Sequence, residues 1–150
     1  IQRPRDATAS ITTRRGNFRV WYNPAKWRPS PEQNDGRIQF QLIGAEAYLV
    51  VIPEGSPLPI AQLKTLALEN ARQSGPDSRL VSEQVRSLAG REVLQLQINV
   101  TINSLPVAFL GYYYGDPRGS IQLVGYTGQQ DLSRYRAQIM EALDGLDLNR

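Results

Sequence analysis

Leu94-Gln-Leu-Gln-Ile-Asn-Val-Thr-Ile102 is the stretch that decides the fold. Leu94, Leu96, Ile98, Val100 and Ile102 alternate with Gln95, Gln97, Asn99 and Thr101. A period of two is that of an extended strand with one face on a core and the other toward water. The same period returns over 81–87 before it and over 107–114 and 120–127 after it. The links are Ala89-Gly90, Asn103-Ser104 and Asp116-Pro-Arg-Gly119, lengths that join neighbouring antiparallel strands. The second half of the chain therefore reads as a four-stranded meander.

Working outward, Ile38, Phe40 and Leu42 alternate with Gln39 and Gln41, and Gly44-Ala45 then turns the chain into Ala47-Tyr-Leu-Val-Val-Ile52. That run is apolar on both faces, so it is expected at the centre of the sheet with both sides covered. Phe18-Arg-Val-Trp-Tyr22 suits a first strand, broken by Asn23-Pro24; a short helical turn is expected to carry Trp27, and the Pro- and Asn-rich stretch after it a loop. Ile60, Leu63, Ala67 and Ala71 form one helical stripe that opens after Pro59 and stops at Ser74-Gly75-Pro76. Leu132, Tyr135, Ile139 and Leu143 form a second, capped by Asp131 and ended by Gly145. The order is three strands, a helix, four strands and a helix. Strands that cluster between helices, instead of alternating with them, define an α+β domain around an antiparallel sheet of about seven strands, not a doubly wound nucleotide-binding sheet.

The 150 residues fit one ordinary domain, taken to span 18–150 behind a flexible basic tether over 1–17. A hydrophobic content of 41% and a mean hydropathy of −0.39 are those of a globular protein. No apolar run approaches the roughly 18 to 20 residues that cross a bilayer. The chain starts at Ile1, not Met, which suggests that a signal segment, a lipidated anchor or a tag preceded it. Cysteine and histidine are both absent. That removes disulfides, thiol chemistry, the usual general base and the commonest metal ligand together, so triads built on either residue are excluded. No cofactor and no metal site are expected.

The net charge of +3 is unevenly placed. Residues 1–28 hold Arg3, Arg5, Arg14, Arg15, Arg19, Lys26 and Arg28 against Asp6 alone, a balance of +6; the rest of the chain carries −3. Arms of this kind meet phosphate, acidic lipid or an acidic partner surface, though a solvated linker accounts for the charge more simply, and because the body is mildly acidic a nucleic-acid partner ranks last.

The opening Phe18-x-Val-x-Tyr-Asn-Pro24 with Trp27 behind it, Ser82-Glu83, Leu88-Ala-Gly-Arg-Glu92, Gly111-Tyr-Tyr-Tyr114 and a closing amphipathic helix resemble the PsbP-like domains. That group includes photosystem extrinsic subunits, small bacterial lipoproteins and a nuclear-transport factor that binds a Ran-type GTPase. The resemblance runs from about Phe18 to Leu148. It implies an α/β/α sandwich used for docking or assembly, often outside the cytoplasm. Members credited with metal ions lean partly on histidine, which this chain lacks.

The candidate partner-binding residues are Tyr112, Tyr114 and Arg118, a Tyr- and Arg-rich patch of the kind enriched at interface hot spots, with Arg14 and Arg15 of the arm. Alternation sets Tyr113 on one face of its strand and Tyr112 and Tyr114 on the other, with at least one expected to be exposed. Trp21 and Trp27 among arginines could stack bases, though packing of the first strand explains them more simply. Glu54, Asp77, Asp116 and Asp131 sit at expected turns or caps, where a structural role accounts for them. The expectation is a non-enzymatic interaction or assembly domain with a protein partner, periplasmic or otherwise extracytoplasmic, reaching a membrane only through an anchor upstream. A small hydrolase or lyase built on two carboxylates is the alternative, and a nucleic-acid module the third.

Overall fold

The computed structural model describes residues 3–149, so the expectation of a tether lies outside the described residues at positions 1 and 2. The meander is present as β6 (Arg79–Leu88), β7 (Arg91–Ile102), β8 (Leu105–Asp116) and β9 (Gly119–Gly128), each antiparallel to the next. Two of its links are two-residue turns with both residues left-handed: Ala89 and Gly90 at φ 53° and 76°, and Asn103 and Ser104 at 50° and 67°. Turns of this hand match the twist of the flanking strands. β9 pairs with β5 (Ala47–Glu54), β5 with β4 (Ile38–Leu42), and β4 with β3 (Trp27–Pro29). The result is one antiparallel sheet in the order β3-β4-β5-β9-β8-β7-β6.

Seven strands were expected in the sheet and the large sheet has seven, but one of those expected lies elsewhere. The strand expected over 18–22 is β2 (Arg19–Tyr22), and it belongs to a second, three-stranded sheet with β1 (Ala9–Thr12) and β10 (Leu146–Asp147). Its place in the large sheet is filled by β3, where a helical turn and a loop were expected. The amides of Lys26 and Trp27 bond back to the Asn23 carbonyl, which turns the chain so that Trp27 pairs with Leu42 and buries its ring. Three residues are too few to show a period.

The flexible tether is also corrected. β1 runs antiparallel along β2, and the Thr13 hydroxyl both donates to the Arg15 carbonyl and accepts from the Phe18 amide, so Ala7 and Thr13 are buried. A segment of small polar residues is ordered here because it covers the edge of β2.

Helices close the two faces of the large sheet. On one, α1 (Ile60–Ser74) sets Leu63, Ala67 and Ala71 against Leu94, Leu96, Ile98, Tyr113 and Val124. On the other, α2 (Leu132–Leu143) and the small sheet bring Leu132, Ile139, Leu143, Phe18 and Val20 onto Phe40, Leu49, Leu110, Tyr112 and Leu123. Gly125 lets α2 approach: a Cβ there would collide with the Ile139 side chain. Asp131 holds the N-cap position of α2 but makes no side-chain cap bond.

Two expectations about exposure fail for one reason, the unequal reach of these covers. The face of β7 expected to be wet has Gln95 buried and accepting from Arg86, and Gln97 accepting from Arg136 of α2. Conversely β5 is not covered on both sides: Ala47, Leu49 and Val51 are buried, while Tyr48, Val50 and Ile52 are only half-buried. The reason is that α1 lies over β7 and β8, to one side of the strand.

Candidate functional site

The offset of α1 opens a groove along its flank. Val50 and Ile52 of β5, Gln122 and Val124 of β9, Phe109 and Tyr113 of β8 form its floor, Asn70, Ala71 and Ser74 one wall, and Arg37 its far rim. It encloses about 290 Å³. Beside it on the same face, Tyr48 and Tyr126 stack with ring centres 5.2 Å apart, and Phe109 lies 5.7 Å from Tyr126. Burial, and the neighbouring Tyr48, push the Tyr126 phenol above its ordinary value, so it stays a neutral hydrogen-bond donor. The surface is apolar and aromatic with a few amide, hydroxyl and guanidinium groups at its margin, the make-up of a contact site.

A second cavity, of about 610 Å³, lies where the β6–β7 turn meets the small sheet, and it holds Trp21, Leu88, Asp144 and Asp147. Both carboxylates have structural partners. The Tyr112 hydroxyl donates to Asp144 Oδ1 at 2.5 Å, and the Trp21 indole and the Asn149 amide donate to Asp147. Burial raises the Asp144 carboxyl above its usual value, although the Tyr112 hydrogen bond and the charge of Arg86 pull the other way. Arg3 stacks over the Trp21 ring at 4.1 Å, and Trp27 is buried, so the tryptophans serve packing in place of a base-stacking platform.

The structure separates the candidate residues. Tyr112, Tyr113 and Tyr114 are all buried, which corrects the expected tyrosine contact patch. The alternation is as read, but both faces of β8 are covered at this point, by α1 on one side and by α2 with the small sheet on the other. Tyr114 donates to Asp116 Oδ2, and Arg118 closes on the same carboxylate at 2.8 Å while its guanidinium lies 4.6 Å over Phe18. Burial alone would raise Asp116, yet the Arg118 bonds and charge, with Tyr114, hold it below its usual value. Tyr114 and Arg118 therefore anchor the β8–β9 turn. Arg14 reaches Glu32 at 2.8 Å, and Arg15 is exposed; neither adjoins the groove. Asp77 accepts from both the amide and the hydroxyl of Thr101, which hold its carboxyl low and give it the structural role expected.

Sequence reasoning missed the groove because its floor joins β5 to β8 and β9, which lie more than fifty residues further along the chain. Pairing supplies the signal: Val50 opposes Val124 and Tyr48 opposes Tyr126, so the half-buried residues of β5 fall in line with Val124 and Tyr126 of β9.

No family model matches the chain, and no curated protein matches it. Solved structures do. The cyanobacterial PsbP (CyanoP) of Synechocystis aligns at a TM-score of 0.70 with 10% identity, over 97% of this chain and 95% of that one. PA94 of Pseudomonas aeruginosa, a protein of unknown function, aligns at 0.67 with 16% identity, over 94% and 98%. LpqN of Mycobacterium tuberculosis, described as involved in cell envelope biogenesis, aligns at 0.54 with 15% identity, over 85% and 80%. The fold is thus the PsbP-like one, as the motifs suggested. At these identities the likeness concerns architecture.

Proposed function

We propose that the chain is a non-enzymatic protein-interaction domain that docks an apolar segment of a larger assembly into the groove beside α1. The observation that carries this is the uncovered half of the sheet face: Val50, Ile52 and Phe109 stay half-buried in a domain whose opposite face is sealed. Leaving such surface open gives up burial worth roughly 25 cal/mol per Å², and open apolar patches of this kind mark contact sites. Among the described residues no helix is long and apolar enough to cross a membrane. An extracytoplasmic setting is supported by the envelope role stated for LpqN. In the cavity that holds Asp144 and Asp147 both carboxylates already accept hydrogen bonds, from Tyr112 and from Trp21 and Asn149, which favours docking over a carboxylate hydrolase or lyase.

A photo-cross-linking residue at Ile52 tests this in the native cell. Discrete protein adducts that disappear on Val50→Arg, with none from the same probe at exposed Leu105, are expected. Equal adducts from both positions would rule the groove out as the docking site.

A further inference from the structure

The two edges of the large sheet are protected very differently. β3 is three residues long and ends at Pro29, which has no amide proton to offer a neighbour. β6 is ten residues long, is hydrogen-bonded only to β7, and has a single irregularity, the register shift between Leu80 and Ser82. Glu83 and Val85 oppose Leu96 and Leu94, which pack under α1, so they lie on that face of the sheet; counting back from Glu83 puts Val81 there too, as the extra residue of a bulge beside Leu80, which opposes Ile98 on the same face. Val81 and Val85 are 43% and 56% exposed, two of the four exposed large hydrophobics among the described residues. Between them Glu83 is held by Lys64 of α1 at 2.8 Å.

We propose that β6 is the seam of a homodimer, two copies pairing their β6 strands antiparallel about a two-fold axis at Glu83, so that the sheet runs on from one copy into the other. Residues opposed across an antiparallel pair share a face, so a two-fold normal to the sheet must pass through a residue position and not between two. Centring on Glu83 sets Val81 of each copy against Val85 of the other, which closes the exposed apolar surface of the strand on itself. Centring one residue either way, on Ser82 or Gln84, would set Val81 or Val85 against Glu83, an apolar group against a charge. At the axis the two Glu83 carboxylates meet, but each arrives with its own Lys64, so the cluster is neutral. The partner that complements this edge is therefore a second copy of the chain. The seam lies on the far side of α1 from the groove, and so is independent of the docking proposed there.

The sequence contains no cysteine, so introduced thiols report alone. Sedimentation analysis of the wild type should show a dimer that grows with concentration, and Val85→Lys should leave a folded monomer whose melting temperature equals that of the wild type diluted to where it too is monomeric. Directly opposed residues lie about 4.5–5.5 Å apart between Cβ atoms. Under mild oxidation Glu83→Cys should therefore link to itself, and a mixture of Val81→Cys with Val85→Cys should give the mixed dimer. Val85→Cys alone should not link, because its copies are offset by four residues, about 13 Å along the strand. A wild type that stays monomeric into the high micromolar range overturns the seam. So does a dimer that survives Val85→Lys, while self-linking of Val85→Cys as fast as Glu83→Cys overturns the register.

Discussion

Leu49 and Val50 are adjacent on β5 and lie in different environments. Leu49 points to the face sealed by α2 and the small sheet and is fully buried; Val50 points to the face that α1 only half covers. The same strand thus serves stability with one set of side chains and offers contact with the other. Leu49, Val51, Leu110, Ile121 and Leu123 form the floor of a continuous core, whereas the side chains alternating with them line an open groove or rest under a single helix. In a two-sided sheet, the cover decides the role of a residue as much as its type does.

The contrast can be broken directly. Leu49→Ala should cost about 2–5 kcal/mol, the range for a fully buried leucine, and Val50→Ala well under half of that, both read from urea denaturation. Equal losses would show that the two faces are equally sealed. Next in size is Tyr112→Phe, expected to destabilise by about 1–3 kcal/mol because it leaves Asp144 half-buried without its donor. The sign with pH follows from the raised Asp144 carboxyl. A folded-state value above the unfolded one, about 3.9, means that the associated stability is present below that pH and is lost as pH rises through the folded value. Removing the hydrogen bond to the charged form raises the folded value further. The variant should therefore lose more stability at pH 8 than at pH 4 in thermal melts, and a loss independent of pH would mean that Asp144 had found another donor.

The smallest change concerns the β6–β7 turn, remote from both faces. Ala89 sits at φ 53°, where a Cβ is disfavoured and asparagine is better tolerated. Ala89→Asn should stabilise by a few tenths of a kcal/mol, measured as a rise in denaturation midpoint with an unchanged slope. Destabilisation would show that the neighbouring cavity constrains the turn.

The meander was legible because each strand is long enough to show its period and each turn is short. The short strands were not. β3 and β10 have three and two residues, and β1 spells Ala-Ser-Ile-Thr, which reads equally well as a linker. Their existence depends on partners far away in sequence. The tyrosine triplet shows the same limit in another form: alternation correctly divided Tyr112 and Tyr114 from Tyr113, but alternation specifies direction and not cover. Two helices and a small sheet, none of them adjacent to β8 in the chain, bury all three. The expectation for Ala47-Tyr-Leu-Val-Val-Ile52 erred in the opposite sense. A run apolar on both faces has the same composition whether its second face meets a helix or waits for a partner.

β10 pairs with β2, and across this contact the Trp21 indole is bonded to Asp147, 126 residues later in the chain. Closing a loop of that length is paid for in chain entropy before the contact returns anything, while the hairpins of the meander need only a few residues each. Folding should then proceed from the meander outward, since local pairings form fastest and distant ones last. During synthesis the edge of β2 toward β10 has no strand to pair with until Leu146 and Asp147 emerge, and until then it is open to chaperones or to misassembly.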